Sequence, residues 1–154
     1  MANKYLSFSI AITFISFIVG IAVNIVLKKT KLYNNELSHL NFIKSEKLNK
    51  WFGVDIVKWI VKNTPFKYFN QKLKLRNKIE KTDLLKLRKE MTSSEIEHLI
   101  GFVFVTIFTF LKFYKTEWLF GVTIMIVNIL MNLNPSLLQQ QNKRRIDKLI
   151  KKLS

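Results

Sequence analysis

"IEHLIGFVFVTIFTFLKFYKTEWLFGVTIMIVNILMNL", residues Ile96 to Leu133, consists of two apolar runs joined by a short polar link. The first run ends at Phe113 and the second begins at Trp118, so each approaches the length that crosses a hydrocarbon core about 30 Å thick. Because the link is so short, the two runs are predicted to form a transmembrane helical hairpin. Tyr114 and Trp118 lie where interfacial aromatic residues belong.

A further apolar run, "YLSFSIAITFISFIVGIAVNIVL" (residues 5–27), carries no formal charge and is followed by Lys28 and Lys29. It exceeds the roughly 7–15 apolar residues of a signal peptide, and the stronger positive flank follows it rather than precedes it. We therefore predict a retained membrane anchor. Small residues at Gly20 and Ala22 leave cleavage as the alternative.

The overall composition favours a membrane protein over a nucleic-acid-binding one. The chain has 154 residues, a net charge of +16 and 49% hydrophobic residues, and the apolar residues are concentrated in three runs. A soluble basic protein would instead distribute them periodically around one core. With no cysteine and only two histidines, neither a thiolate zinc site nor a di-metal centre is expected, and no cofactor is predicted.

Basic residues are distributed asymmetrically about the three runs. Residues 28–94 hold 17 of the 26 Lys and Arg residues and the tail, 136–154, holds six, whereas the hairpin link has only Lys112 and Lys115. The positive-inside rule then predicts an external N-terminus with residues 28–94 and 136–154 in the cytoplasm. The expected protein is a multi-pass, all-α protein of the cell membrane with three transmembrane helices in a single domain.

The middle segment contains a second helical pattern. In "KLNKWFGVDIVKWIVKN" (residues 47–63) lysines occupy one helical face, while Trp51 and Trp59 lie on the other. This pattern predicts an amphipathic helix in the membrane interface, and packing against the spans is the alternative. The second half of residues 67–91 is also predicted to be helical, as a short cytoplasmic segment.

Ionisable residues at the start of the second span need an explanation. Glu95 and His98 are three residues apart, so their side chains project from the same side of a helix. "TSSE" (residues 92–95) also has the form of a capping box with Thr92 as N-cap, which would give Glu95 a structural role. A histidine steered by a carboxylate is, by contrast, a general base.

Amides and cations near the end of the third span complete a predicted pocket at the cytoplasmic membrane surface. These candidate substrate-binding residues are Asn128, Asn132, Gln139, Asn142, Lys143 and Arg145. In a hairpin Asn132, Asn134 and Gln139 meet Glu95 and His98 at one depth, with Asn142, Lys143 and Arg145 below them. Intramembrane polar clusters are candidate functional sites. Amides such as Asn132 and Gln139 could stabilise an oxyanion, and the cations with Asn142 could hold phosphates of an activated donor. Packing between helices is the alternative role.

These features resemble the glycosyl-diaponeurosporenoate acyltransferase family, small bacterial membrane proteins of carotenoid glycolipid synthesis. That family has Glu-x-x-His at the start of a hydrophobic hairpin, as in "EIEH" (residues 95–98), and closes with Asn-x-x-Pro-x-x-x-Gln-Arg-Tyr-Asn-Arg-x-Arg. The matching residues in "NLNPSLLQQQNKRR" are Asn132, Pro135, Gln139, Asn142 and Arg145. The departures are Gln140 for Arg, Gln141 for Tyr and Lys143 for Arg.

The resemblance implies transfer of a fatty acyl group to a sugar hydroxyl of a lipid-borne, carotenoid-like acceptor. The expected partners are membrane lipid, an activated acyl donor and that acceptor, without nucleic acid, and a homo-oligomer is compatible with the sequence. One alternative is a non-enzymatic assembly partner or lipid-binding protein whose polar cluster packs helices. Another is a different lipid-modifying enzyme.

Overall fold

A computed structural model describes residues 2–43, 47, 53–63 and 80–153, and all regular structure in these ranges is helical. In chain order the elements are α1 (Ala2–Leu27), α2 (Lys31–Asn35), a 3-10 turn (Leu37–His39), α3 (Val54–Asn63), α4 (Lys81–Tyr114), α5 (Trp118–Asn128), a π-helical segment (Ile129–Leu133) and α6 (Asn134–Lys152). Three stretches, Ala2–Leu27, Lys81–Tyr114 and Trp118–Lys152, are long and apolar enough to cross a membrane. The predicted all-α fold with three transmembrane helices is confirmed.

The three long rods alternate in direction. Near the start of α1, the Tyr5 ring stacks on Phe120 at the start of α5, with ring centroids 4.3 Å apart. Near the end of α1, Asn24 Nδ2 donates to Glu97 Oε1 in the first half of α4 at 2.8 Å. Residues 28–43, 80–95 and 136–152 therefore share one end of the bundle, which we call the basic end.

The transmembrane part of α1 buries small and polar side chains and exposes large apolar ones. Its buried residues are Ser9, Ile12, Thr13, Ser16, Gly20 and Asn24. Outward-facing Phe14, Ile18 and Val26 are 52%, 70% and 65% exposed. A soluble helix shows the reverse distribution, because water drives its apolar face inward. Hydrocarbon around the bundle removes that drive, so close packing and interhelical hydrogen bonds hold the rods together.

Helix α4 begins at Lys81, eleven residues before the predicted N-cap, and its own N-cap is Glu80. The capping-box prediction is therefore wrong: Thr92 lies inside the helix, and its Oγ1 donates to the Arg88 carbonyl at 2.9 Å. The physical reason is tertiary. Leu84 and Leu87 pack with Ile146 of α6, so burial of this apolar stripe continues the helix beyond the membrane-spanning part.

The third rod continues through Pro135. A proline commonly ends a helix, but here α6 starts at Asn134 and runs through Pro135 to Lys152. Proline lacks the N–H that an α-helix needs at that position. The π-helical segment Ile129–Leu133 directly precedes it, and the wider i to i+5 turn accommodates the change in hydrogen bonding without breaking the rod.

Only the C-terminal part of the predicted amphipathic helix falls within the described residues. In α3 the Val54 and Val57 side chains are buried, and the helix contacts α6. Ile56 and Trp59 are 56% and 65% exposed on the opposite side. The helix therefore packs on the bundle with one apolar stripe and presents a second one outward.

Candidate active site

Asn128 and Asn132 form a polar layer between the three rods, and both are fully buried. Asn128 Nδ2 donates to the Phe102 carbonyl of α4 at 3.0 Å. Asn132 Nδ2 donates to Asn128 Oδ1 at 2.9 Å and to Ser16 Oγ of α1 at 3.1 Å. The two amides thus connect all three transmembrane rods, which is how buried amides stabilise a bundle in hydrocarbon.

Gly101 on α4 provides the space for this layer. A Cβ at that position would lie 2.9 Å from Asn132 Oδ1 and 3.0 Å from Ser16 Oγ. Both distances are shorter than ordinary carbon–oxygen contacts, so a larger residue would displace one of the two polar side chains. The glycine therefore sets where Asn132 sits relative to α4.

His98 lies one turn before Gly101, and its ring meets Phe17 of α1 edge to face, with centroids 5.6 Å apart. The Asn132 side chain is its polar neighbour from the third rod. His98 Nδ1 and Asn132 Oδ1 are both buried and have no hydrogen-bond partner among the described residues. As a whole residue His98 is half-buried. The structure therefore brings His98 and Asn132 together between the spans.

The carboxylate of Glu95 pairs with Lys143 of α6, and both side chains are almost completely buried. No hydrogen bond joins Glu95 to His98 within the described part of the chain, although the two residues are one turn apart. Gln140 is a second polar neighbour of Glu95. The geometry places Glu95 in a buried ion pair between two rods, rather than beside the imidazole it was predicted to orient.

Lys143 and Arg144 also attach the segment that follows α1 to the basic end. Lys143 Nζ donates to the Leu40 carbonyl at 3.3 Å. Arg144 Nη1 donates to Asn41 Oδ1 and to the Ile43 carbonyl, both at 2.8 Å. The charge of Lys143, which was predicted to hold donor phosphates, is therefore engaged inside the protein.

The other predicted binding residues are spread along α6. Gln139 Nε2 donates to Ser94 Oγ of α4 at 3.5 Å. Asn142 is half-buried, whereas Arg145 is exposed at the surface of the basic end. Of the predicted set, Asn128, Asn132 and His98 form one group, and Gln139 and Lys143 contact α4 closer to the basic end.

Sequence reasoning missed the contribution of α1 and of Glu97. Asn24 Nδ2 donates to Glu97 Oε1, and Ser93 Oγ donates to the same oxygen at 2.7 Å. Lys28 Nζ lies 4.0 Å from that carboxylate oxygen. The signal was available in the spacing of Ser9, Thr13, Ser16, Gly20 and Asn24, which places small and polar residues on one helical face of an otherwise apolar run.

Comparison with known proteins places the chain in a family. Residues 29–152 match the family model described as glycosyl-4,4'-diaponeurosporenoate acyltransferase. The chain belongs to this family. No curated protein and no solved structure matches it.

The region shared with the glycosyl-4,4'-diaponeurosporenoate acyltransferase family begins at Lys29 and ends at Lys152. It contains α4, α5 and α6, and with them His98, Glu95 and Asn132, whereas all of α1 precedes it. Membership indicates an acyltransferase of carotenoid glycolipid synthesis in a bacterial membrane. The Ser16 hydroxyl that contacts Asn132 lies outside the matched region, so the polar layer joins the family region to the N-terminal helix.

Proposed function

We propose that this protein transfers a fatty acyl group to a hydroxyl of a lipid-borne, glycosylated, carotenoid-like acceptor at the cytoplasmic membrane surface. The observation that carries the proposal is the meeting of His98 with Asn132 between transmembrane rods, toward the basic end of a chain in this acyltransferase family. His98 is partly exposed as a residue, which we take as the route by which a substrate within the membrane would reach it.

In the proposed reaction His98 acts as general base. One ring nitrogen takes the proton of the acceptor hydroxyl while the oxygen attacks the acyl carbonyl, and the same proton can then pass to the departing donor group. A small rotation would join the unpartnered Nδ1–H of His98 to the unpartnered Oδ1 of Asn132. That bond would fix the tautomer and leave Nε2 as the base.

The remaining predicted residues receive revised roles in this proposal. Glu95 acts as a positioning residue, because its buried pair with Lys143 holds α4 and α6 in register. Arg145 is exposed and stays the candidate for the phosphate of an activated donor, with Asn142 beside it on α6. Gln139 lies against Ser94 and is proposed to face the acceptor headgroup.

Replacing His98 by Ala tests the mechanism. General-base catalysis is typically worth about 10²–10⁴-fold, so H98A should lower the formation of acylated glycolipid by at least ~100-fold. The measurement is the product in lipid extracts of cells lacking their own enzyme and expressing each variant. The matched control is H39A, which removes the exposed second histidine and should retain full activity.

Thermal stability distinguishes the proposed enzyme from the alternative in which the polar cluster only packs helices together. The Asn128 and Asn132 amide hydrogens are used in interhelical bonds, which favours a structural role for that layer. Asn128→Leu should therefore lower thermal stability and product together. H98A should lower product alone, with an unchanged melting temperature in detergent. Wild-type amounts of acylated product from H98A would show that His98 is not the general base. Unfolding of H98A would favour the helix-packing function.

A further inference from the structure

Two cavities adjoin at the basic end of the bundle. A cleft of about 820 Å³, which we call the polar cleft, opens between α2 and α4. A groove of about 400 Å³, the apolar groove, lies between α1 and α4. Residues adjacent in the chain line the two cavities: Leu27 and Leu37 line the groove, and Lys28 and Ser38 line the cleft. Together they lead from the cytoplasmic surface into the depth of the membrane.

The polar cleft is lined by charged side chains and, in equal number, by hydroxyl groups. They belong to Tyr33, Ser38, Thr92, Ser93 and Ser94. Burial, with smaller contributions from nearby Glu97 and Glu95, raises the pKa of Tyr33, so its phenol stays protonated and can donate. Ser94 Oγ accepts from Gln139, which leaves its own hydrogen to donate. The hydroxyl hydrogens of Ser38, Thr92 and Ser93 are donated inside the protein, so these three oxygens can only accept from a polyhydroxyl group. Tyr33 and Ser94 can donate to it.

The charges around the polar cleft neutralise one another. Lys28 lies 4.0 Å from Glu97, and Arg88 forms an ion pair with Asp147 at 2.6 Å. The other charged residues of the lining, Lys89 and Glu90, have opposite signs. A phosphate site would need an excess of cations directed at the ligand. Neutral hydroxyls beside a carboxylate instead match the hydroxyls of a sugar.

The apolar groove fits one hydrocarbon chain. Its lining is wholly apolar and follows α4 from Ile96 to Ile107, which at 1.5 Å per residue is about 16 Å. Val103 and Ile107 are 62% and 54% exposed at its edge, so a chain can enter from the surrounding hydrocarbon.

We propose that the polar cleft and the apolar groove are the binding site of the acyl acceptor, an amphiphile with a neutral sugar headgroup and one extended apolar chain. This proposal rests on the proposed function only where it identifies the bound amphiphile as the acyl acceptor. The surface would bind the amphiphile whether or not acyl transfer follows. Glu97, which lines the cleft, immediately precedes the proposed base His98 on α4, and His98 itself is not part of the described lining.

The groove is tested by filling it. Full-length protein in phosphatidylcholine nanodiscs is incubated with hexadecyl glucoside carrying a diazirine at the chain end, and cross-linked peptides are quantified by mass spectrometry. Val103→Trp should lower cross-linking to α4 about tenfold. Val122→Trp is the matched control, because Val122 on α5 is also exposed but lies outside the groove, and it should retain the wild-type yield.

The headgroup specificity is tested in the same nanodiscs. The double variant Y33F/S94A removes two hydroxyls of the cleft and should weaken glucoside binding about 3–10-fold, whereas S7A, at an exposed position on α1, should leave it unchanged. Unlabelled hexadecyl glucoside should compete with the probe, and hexadecyl phosphate should not. Equal yields from the two tryptophan variants, or equal competition by the phosphate, would overturn the site.

Binding is measured without an acyl donor, so this test and that of the proposed function fail separately. If the probe cross-links to the groove but cells expressing the wild-type protein make no acylated product, the proposed acyl transfer is wrong and the binding site is supported. If acylated product forms but Val103→Trp does not change cross-linking, the acyl transfer is supported and the proposed binding site is wrong.

Discussion

Glu95 is fully buried, and its carboxylate forms an ion pair with Lys143, whose side chain is almost completely buried as well. The mutual attraction of such a pair roughly offsets the desolvation of both ions, but either ion alone would be left buried without compensation. At the residue scale the pair therefore adds little net stability. Its main effect is to specify the relative position in which α4 and α6 pack.

Removing one member of this pair should be far worse than removing both. Lys143→Met and Glu95→Leu are each expected to lower the free energy of unfolding by about 3–5 kcal/mol, and the double variant should recover most of that loss. Thermal unfolding in detergent micelles, followed by tryptophan fluorescence, measures the three variants. Glu117→Gln is the control, because it breaks the partly exposed Lys112–Glu117 pair and should change stability little. Strictly additive losses in the double variant would contradict the coupling.

At the scale of elements, close approach of α1 and α4 depends on a residue without a side chain. A Cβ on Gly20 would overlap the backbone carbonyl oxygen of Glu97, so the two helices touch backbone to backbone there. This contact brings Asn24 within reach of Glu97 and Ser93, and it sets one wall of the polar cleft.

Gly20→Leu should therefore separate α1 from α4. We expect a loss of stability of about 1–3 kcal/mol or more from overpacking, although leucine is the better helix former. Ala22→Leu makes a similar small-to-large change at an exposed position of the same helix and should be tolerated. Melting temperatures of the two purified variants decide the matter, and equal values would mean that Gly20 does not determine the contact.

The third rod shows where element-level prediction was limited. Asn134–Pro135 has the appearance of a helix end, yet the rod continues because the π-helical segment Ile129–Leu133 takes up the proline. The same segment carries Asn132, and its wider turn helps determine the direction of that amide. A local sequence rule cannot anticipate this, because the packing of α4 against both halves decides whether the helix ends or bends.

At the scale of the whole molecule, the three rods place residues 28–43, 80–95 and 136–152 on one side of the membrane. The positive-inside rule assigns that side to the cytoplasm. Because the chain has no cysteine, single cysteines can report the orientation without background. Asn3→Cys and Lys115→Cys should react with a membrane-impermeant maleimide in intact cells, and Leu153→Cys only after permeabilisation. The reverse pattern would invert the proposed topology and move the active site to the outer surface.

The sequence by itself determined the fold class, the three spans and their alternation, since long apolar runs with charged flanks have few alternatives in a membrane. It also identified His98 and Asn132, because polar side chains inside apolar runs are costly and stand out. Only the tertiary structure decided that Glu95 belongs to Lys143, that α4 begins at Lys81, and that α1 supplies Ser16 and Asn24. Those outcomes depend on which helical faces meet, and that is set by packing between segments distant in the chain, not by local spacing.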